Sequence, residues 1–193
     1  GGIIPSLENL SKLNHLARKL ERDFDLDLEI ISGGNSSSLH LLMDKKDISF
    51  INNLRLGESL VLGLETAYAT HIPHTYRDCF QVTAEIIEAK DKPSLPIGDI
   101  GRDAFGKKPS FIDRGIRRRL ICGLGKQDID FNDIFPLDKK LIILGGSSDH
   151  LIIDSSDSPI DYKLGDRLKF NLSYGGVLRA MTSPYIRKNI IYR

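Results

Sequence analysis

Residues 30–63 read IISGGNSSSLHLLMDKKDISFINNLRLGESLVLG, and two polar segments in this stretch each follow an apolar run. The apolar runs, residues 28–32 and 48–51, are typical of buried strands. Glycine lets a backbone approach a ligand closely, and serine and asparagine add donors to free backbone N–H groups. We therefore expect ISGGNSSSL and NNLRLGES to be loops of neighbouring strands that bind one phosphate, with Arg55 placed to hold a planar group. Ordinary solvent-facing loops are the alternative.

The flanking residues predict helices that alternate with these strands. Leucines recur at three- and four-residue steps over residues 7–20, which predicts an amphipathic helix with Ser6 as its N-cap and Asn9 as a capping-box partner. Residues 39–43 predict a short helical turn. This alternation is typical of a (βα)8 barrel or a doubly wound sheet, and a complete barrel needs about 250 residues. Residues 1–68 are therefore interpreted as the C-terminal part of a (βα)8 barrel.

From Tyr68 the sequence changes to short β-rich runs that are separated by proline and glycine. No stretch after Leu64 has the periodicity of a long helix, so residues 69–193 predict a small all-β domain, either a barrel or a sandwich. The predicted fold class is thus α/β followed by all-β. The runs expected to form strands are residues 80–89, 120–124, 140–144, 151–154 and 166–172.

Composition and charge narrow the possible partners. The 193 residues carry a net charge of +1, which gives no bulk electrostatic reason to bind nucleic acid or a membrane surface. No run is long enough to span a membrane, and the N-terminus lacks the features of a signal peptide. Cys79 and Cys122 are far apart, so we expect buried free thiols and a cytoplasmic protein. The first residue is not methionine, which we interpret as the sign of a fragment.

Six segments resemble one enzyme family in their order and spacing. They are similar to the C-terminal half of racemases in the alanine-racemase-like group of pyridoxal-phosphate enzymes. The resemblance implies a barrel domain followed by a β domain, pyridoxal 5′-phosphate at the barrel mouth and a homodimer whose active sites are completed across the interface. It also implies racemisation of an amino acid, with ornithine or another basic or small amino acid as substrate. The segments are GGIIPSLENL (1–10), ISGGNSSSL (31–39), NLRLGESLVLG (53–63), LPIGDIGRDAFG (95–106), IDRGIRRR (112–119) and YGGVLRAMTSPYI (174–186).

The resemblance implies roles for residues of both loops. Asn35 and Ser36 match an Asn-Ser pair that binds the cofactor phosphate in such racemases. Gly57 and Glu58 match residues whose backbone N–H groups meet the same phosphate. Arg55 matches an arginine that faces the pyridine nitrogen; a surface salt bridge is the alternative. Because a guanidinium keeps its proton at physiological pH, the ring nitrogen stays largely unprotonated and withdraws less charge, which favours racemisation over transamination.

The resemblance is weaker at the remaining catalytic positions. Alanine racemase uses a β-domain tyrosine as one of two opposed bases, and the nearest counterpart here is Asp99. Either burial makes this carboxylate more basic or another residue is the second base; a turn aspartate is the alternative. Tyr185 is a candidate for phosphate contact, and Asp99 or Asp103 for a substrate ammonium group. The Schiff-base lysine lies in the half of the family's chain that this sequence does not contain, so we expect the isolated chain to be inactive.

Other motifs favour structural interpretations. The arginine run at residues 114–119 is a single cluster in a neutral protein, so a solvated or dimer-facing strand is favoured over a nucleic-acid site. Arg114 is also a candidate for carboxylate recognition across a dimer interface. Residues 147–150, SSDH, do not indicate a hydrolase, because triad members meet through the fold. His71 and His74 have no third ligand at metal-binding spacing, so we expect no metal.

A second class of function stays open beside racemisation. Barrel homologues that lack an opposing base can carry the cofactor and do little chemistry. The alternative is therefore a non-catalytic pyridoxal-phosphate-binding or assembly module. The two classes differ in the second base, since exchange of the α-proton on both faces needs a base on each side of the ring.

Overall fold

A computed structural model describes residues 2–102, 106, 110 and 112–192. The chain forms two compact units and passes from the first to the second between Cys79 and Phe80. Residues 69–79 return to the end of the first unit's last helix, where the N–H of Ile72 donates to the carbonyl of Gly63 at 2.9 Å. The domain boundary expected from the sequence, at residues 68 and 69, stays a prediction.

The first unit, over residues 2–79, contains three α-helices, one 3-10 helix and a two-stranded parallel sheet. Its short elements follow one another in a helix–strand alternation, as the sequence predicts. In chain order they are α1 (Leu7–Phe24), β1 (Ser32–Asn35), the 3-10 helix (Ser36–Ser38), α2 (Leu39–Met43), β2 (Asn53–Arg55) and α3 (Glu58–Leu62).

Helix α1 begins as predicted, with a capping box between Ser6 and Asn9. The hydroxyl oxygen of Ser6 accepts the backbone N–H of Asn9 at 3.2 Å, and the Asn9 carboxamide accepts the backbone N–H of Ser6 at 3.2 Å. The helix contributes Leu10 to a buried cluster with Leu41 and Ile48. The same leucine periodicity that predicts the helix thus positions the core of this unit.

Both strands of the first unit lie later in the chain than predicted. Residues 28–31 form no strand, and the Asn52 side chain binds two of their backbone groups. Its carbonyl accepts the N–H of Ile31 at 2.8 Å, and its amide donates to the carbonyl of Glu29 at 2.7 Å. Residues 48–51 also form no strand but a turn, with the N–H of Ile51 bonded to the carbonyl of residue 48 at 2.9 Å. The strands are therefore built from the polar segments themselves.

Over its described residues, the second unit forms a six-stranded antiparallel sheet with the order β5-β8-β3-β4-β7-β6. Strand β3 spans two neighbours, because residues 81–85 pair with β8 and residues 86–93 pair with β4. Alternate residues face one buried side, where Ile86, Leu120 and Phe170 have no exposed surface. The strands are β3 (Gln81–Pro93), β4 (Ile116–Cys122), β5 (Ile134–Pro136), β6 (Ile142–Gly146), β7 (Leu151–Asp154) and β8 (Arg167–Leu172).

The second unit also contains one short helix that the sequence pattern did not indicate, the nine-residue α4 (Tyr174–Thr182), which follows β8. Its two glycines obscured the helical pattern. A Cβ at Gly176 would lie 2.7 Å from the carbonyl oxygen of Asp133, so glycine is needed here for close packing. Ser173 caps the helix by accepting the N–H of Gly176 at 3.1 Å.

The two cysteines have different environments, and one prediction about them is wrong. Cys122 is buried in the sheet, and burial raises the pKa of its thiol to about 12. Cys79 is exposed at the end of the first unit, where a buried thiol was expected. Among the described residues, no helix is both long and apolar enough to cross a membrane.

Candidate functional site

The candidate site lies where β1 and β2 end side by side. The two strands are parallel, with Ser32 opposite Asn53 and Asn35 opposite Arg55. Because carboxyl ends of parallel strands share one edge of a sheet, the residues that follow β1 and β2 emerge at the same edge. The prediction that the two polar segments belong to neighbouring strands is confirmed.

Glycines allow the first strand to take this course. A Cβ on Gly33 would lie 2.4 Å from Cδ1 and 2.8 Å from Cγ2 of Ile51, so the strand packs directly on that side chain. Gly34 has a φ of 111°, in the region that favours glycine. Ser38, fully buried, donates its hydroxyl to the carbonyl of Gly33 at 2.8 Å. The loop geometry is thus fixed from within.

Asn35 is exposed at the start of the 3-10 helix, which it caps. Its side-chain oxygen accepts the backbone N–H of Ser37 at 2.9 Å and the Ser37 hydroxyl at 2.8 Å. Within the described residues, the amide nitrogen of Asn35 has no acceptor. The carboxamide therefore shapes the loop with its oxygen and keeps two N–H donors for a ligand.

Ser36 joins the first loop to the second. It is buried, and its hydroxyl oxygen accepts the backbone N–H of Ser59 in α3 at 3.2 Å. The hydroxyl oxygens of Ser36 and Ser59 are 3.0 Å apart and share a hydrogen bond. Ser59 cannot be recognised from the sequence, because a single serine next to apolar residues in a short helix belongs to no motif. Only the pairing of the two strands brings it to Ser36.

Gly57 and Glu58 form the half-buried N-terminus of α3, and Gly57 provides no side-chain cap. The Gly57 carbonyl accepts the N–H groups of Leu60 and Val61 at 3.1 and 3.2 Å. The backbone N–H groups of Gly57 and Glu58 have no acceptor within the described residues, as is usual for the first turn of a helix. They remain available as donors.

Arg55 is exposed at the end of β2. Its guanidinium has no ion pair or hydrogen bond within the part of the chain that the structure describes. The salt-bridge alternative thus finds no partner among those residues. Arg55 therefore places a permanent positive charge beside the loops, at the position opposite Asn35.

The donor set at this edge suits an anionic cofactor with a phosphate group. It combines backbone N–H groups, a carboxamide, a hydroxyl pair and a guanidinium, all of which can donate to an anion or a ring nitrogen. A cleft of about 350 Å³ opens between the first loop and the start of α1; Gly34, Asn35 and Ser37 line part of it, and the residues of the second loop do not. The residues present therefore fit pyridoxal 5′-phosphate, by the chemistry of their donors.

The other predicted site residues lie in the second unit. Asp99 is exposed and follows Gly98, whose φ is 114°. No residue of the described chain buries or hydrogen-bonds its carboxylate, so this chain alone does not supply the burial considered for a base. Tyr185 is 73% exposed, and its backbone N–H donates to the Ser183 hydroxyl at 3.2 Å. Asp103 lies outside the described residues.

The arginines of β4 have intramolecular partners on other segments of the chain. Arg117 donates to Asp154 at 2.9 Å and with both terminal nitrogens to Asp157 at 3.2 and 2.8 Å. These bonds raise the pKa of Arg117 and hold the pKa of the Asp157 carboxylate below its ordinary value. Arg119 donates to the carbonyl of Ser94 at 2.9 Å. Arg114, in contrast, is exposed. Arg117 and Arg119 thus bind the sheet together.

The SSDH turn does bring serine, aspartate and histidine together, but not as a triad. Nδ1 of His150 lies 3.0 Å from the Asp149 carboxylate and 3.4 Å from the hydroxyl of Ser147. Both partners therefore meet the same ring nitrogen, whereas a general base needs its two nitrogens on different partners. The hydrogen bond from Ser147 lowers the pKa of Asp149. The geometry is that of a polar turn.

Glu65 is a buried carboxylate that the sequence analysis missed. It has no exposed surface and accepts the backbone N–H groups of Ala67, Tyr68 and Thr70, each at 2.9 Å. Burial raises its pKa, but the three donors outweigh this and hold the pKa below its ordinary value. An acidic residue directly after the apolar run LVLGL was the available signal.

The chain is similar in sequence to curated amino-acid racemases, although no family model matches it. It is 50% identical over 192 residues to ornithine racemase from Acetoanaerobium sticklandii, covering 99% of this chain and 54% of that protein. It is 44% identical over 188 residues to lysine racemase from Thermotoga maritima, covering 97% and 53%. The chain thus spans about half the length of the curated relatives it matches.

Solved structures show the fold. An alanine racemase from Bartonella henselae with covalently bound pyridoxal phosphate matches with a TM-score of 0.58 at 19% identity, covering 86% of this chain and 44% of that one. The Clostridium difficile alanine racemase matches with a TM-score of 0.54 at 18% identity, covering 89% of this chain and 44% of that one. D-threonine aldolase from Filomicrobium marinum matches with a TM-score of 0.52 at 14% identity, covering 88% of this chain and 42% of that one. The predicted fold, the C-terminal part of a (βα)8 barrel followed by a small β domain, and the resemblance to this family are confirmed.

Proposed function

We propose that this chain is the C-terminal half of a pyridoxal-phosphate-dependent racemase of basic amino acids, with ornithine as the leading substrate. The observation that carries the proposal is the pairing of β1 with β2, which sets the Asn35–Ser36 turn beside Arg55 and Gly57. Support for the substrate class comes from the relatives named for ornithine and lysine. An amino-acid racemase is the function that both the relatives and the loop chemistry favour.

The two loops would hold the cofactor through its phosphate and its ring nitrogen. The carboxamide of Asn35, the hydroxyl of Ser36 and the backbone N–H groups of Gly57 and Glu58 would bind the phosphate. When bound, the cofactor supplies an electron-accepting ring that acidifies the α-proton of an amino acid. Arg55 would donate to the ring nitrogen without giving up its proton, and so limits how strongly the ring withdraws charge.

The residues that would act as catalytic bases lie outside the two loops. We propose that the lysine that would bond to the cofactor lies in a segment that corresponds to the part of the relatives' length that this chain does not span. We propose that Asp99 of a second copy is the opposing base in a homodimer, with Tyr185 as a further contact to the phosphate. Asp99 or Asp103 would bind the side-chain ammonium of the substrate. Exchanging Asp103 alone for alanine, which leaves the proposed base in place, should reduce the preference for ornithine over alanine if Asp103 binds the ammonium group.

Optical rotation tests the proposed reaction directly. The intact protein, supplied with pyridoxal 5′-phosphate, is expected to racemise L-ornithine or L-lysine at least about tenfold faster than L-alanine. Arg55→Ala should lower this rate by about 100-fold, since it removes a charged hydrogen bond to the ring. Arg22→Ala, which removes an exposed arginine of α1, is the matched control and should leave the rate unchanged. No racemisation of any of the three amino acids would contradict the proposal.

The non-catalytic cofactor-binding module is the second candidate. It is favoured by the exposure of Asp99, which the described chain leaves without a hydrogen-bond partner. Exchange of the α-proton in deuterated water separates the two functions, because a racemase incorporates deuterium into both enantiomers of the substrate. A protein that binds the cofactor but exchanges no α-proton would be such a module.

A further inference from the structure

Two buried serine hydroxyls connect the loops of the candidate site. Ser36 is 4% exposed and Ser59 is 1% exposed. Their hydroxyl oxygens are 3.0 Å apart, and the oxygen of Ser36 also accepts the backbone N–H of Ser59 at 3.2 Å. At 3.0 Å either hydroxyl can donate to the other, because a hydroxyl proton rotates to suit its partner.

The pair has one more donor than it can use. Its donors are two hydroxyl protons and the N–H of Ser59. The N–H and one hydroxyl proton are used within the pair. Among the described residues, neither hydroxyl makes a hydrogen bond to any further acceptor. One buried hydroxyl proton is therefore left without an acceptor, a condition that an incoming anion relieves.

We propose that Ser59 is a positioning residue that directs the hydroxyl proton of Ser36 toward the phosphate of the bound cofactor. This inference rests on the proposed function of the two loops. In the structure the hydroxyl of Ser36 donates to the oxygen of Ser59. When the two hydroxyls rotate so that Ser59 donates both its N–H and its hydroxyl to the oxygen of Ser36, the proton of Ser36 is the one left over. Ser36 directly follows the exposed Asn35, whereas Ser59 follows the half-buried Glu58 and is itself only 1% exposed. Ser59 thus acts on the ligand only through Ser36.

Noncovalent binding separates this role from catalysis. The probe is 4′-deoxypyridoxine 5′-phosphate, which has no aldehyde and cannot bond to a lysine, compared with deoxypyridoxine, which has no phosphate. Their dissociation constants are measured on the intact protein after removal of bound cofactor. The ratio of the two constants reports phosphate recognition alone. A general loss of protein stability weakens the binding of both ligands and leaves the ratio of their dissociation constants unchanged.

Ser59→Ala is expected to reduce the phosphate preference about fivefold, the effect of one modest hydrogen bond. Ser36→Ala should reduce it by about 30-fold or more, and adding Ser59→Ala to that variant should change nothing further. Ser155→Ala is the matched control: it removes a buried hydroxyl of the second unit, one that donates to the Arg118 carbonyl and belongs to neither loop. It should leave the ratio at the wild-type value.

The outcomes distinguish this inference from the function on which it rests. A wild-type protein that shows no preference for the phosphorylated probe would overturn the proposed function, and this inference with it. A clear wild-type preference that Ser59→Ala leaves unchanged would overturn the inference alone. So would an equal loss in Ser155→Ala, or an additive loss in the Ser36→Ala, Ser59→Ala double variant.

Discussion

Ser36, Ser37 and Ser38 are neighbours in sequence but have three different roles. Ser36 bonds across to α3, Ser37 bonds back to Asn35, and Ser38 donates to the carbonyl of Gly33. A 3-10 helix has three residues per turn, so successive side chains point about 120° apart. One faces the second loop, one the capping residue and one the interior. The three serines are therefore not interchangeable, although they are identical and adjacent in sequence.

At the residue scale, Gly33→Ala is expected to destabilise the protein by about 1–3 kcal/mol, the usual cost of overpacking. The new Cβ would meet Cδ1 and Cγ2 of Ile51, and Cγ2 cannot move without a change of rotamer. Urea denaturation measures the loss. The double variant Gly33→Ala, Ile51→Ala should lose less stability than the sum of the losses in the two single variants, because the shortened side chain at position 51 leaves room for the new Cβ. Strict additivity in this double-mutant cycle would show that the two side chains do not clash.

The loop after α3 is the element that depends most on one side chain. It closes through the Glu65 N–H, which donates to the carbonyl of Thr70 at 2.9 Å, and through a bridge between Leu64 and His71. The Glu65 carboxylate fills the centre of this loop and accepts three of its N–H groups. A carboxylate with three backbone donors orders a segment that has no helix or strand of its own.

Glu65→Gln should therefore destabilise the protein by about 1–3 kcal/mol at neutral pH, because the amide places N–H groups against backbone N–H donors. The lowered pKa of Glu65 also predicts a pH dependence. Its contribution is complete above the pKa of the unfolded chain, about 4.3, and is lost as the pH falls through the lower folded-state pKa.

Urea denaturation between pH 7 and pH 3 measures both effects. The wild-type protein should lose more stability over this range than Glu65→Gln, so the two curves should converge in acid. Glu8→Gln is the control, since Glu8 is exposed on α1. Parallel curves for wild type and Glu65→Gln would contradict the assignment.

At the scale of the whole molecule, the first unit leaves apolar surface exposed. Leu16, Phe24 and Leu60 are 52%, 66% and 70% exposed, and its parallel sheet has only two strands within the described residues. Parallel sheets are normally covered on both faces. We expect further polypeptide, equivalent to the rest of the relatives' length, to cover this surface as the remainder of the barrel.

Subunit complementation tests the proposed dimer. Arg55→Ala and Asp99→Asn should each abolish most activity. If each active site takes Arg55 from one chain and Asp99 from the other, mixed dimers contain one intact site. An equal mixture that has exchanged subunits should then recover about a quarter of wild-type activity.

A mixture of Arg55→Ala with the Arg55→Ala, Asp99→Asn double variant contains no intact site and is the control. The mass of the protein in solution is measured by sedimentation. A dimer that recovers no activity on mixing would place both residues in one chain, and a monomer would contradict the shared site altogether.

The sequence by itself determined the elements whose signals are local. Helix α1 followed from leucine periodicity and the Ser6–Asn9 capping box, and α2 and β7 were predicted with the bounds that the structure has. The two polar segments were also identified as a pair on neighbouring strands. These features depend on residues a few positions apart, and a single chain displays them directly.

Only the tertiary structure decided what depends on distant residues. The Asn52 side chain binds the backbone of Glu29 and Ile31 just before β1, and Gly176 fits α4 against Asp133. Ser59 becomes part of the candidate site because strand pairing sets it against Ser36, 23 residues earlier. A hydrogen bond or close contact across such separations leaves no periodicity in the sequence, since its partners are chosen by how the elements pack.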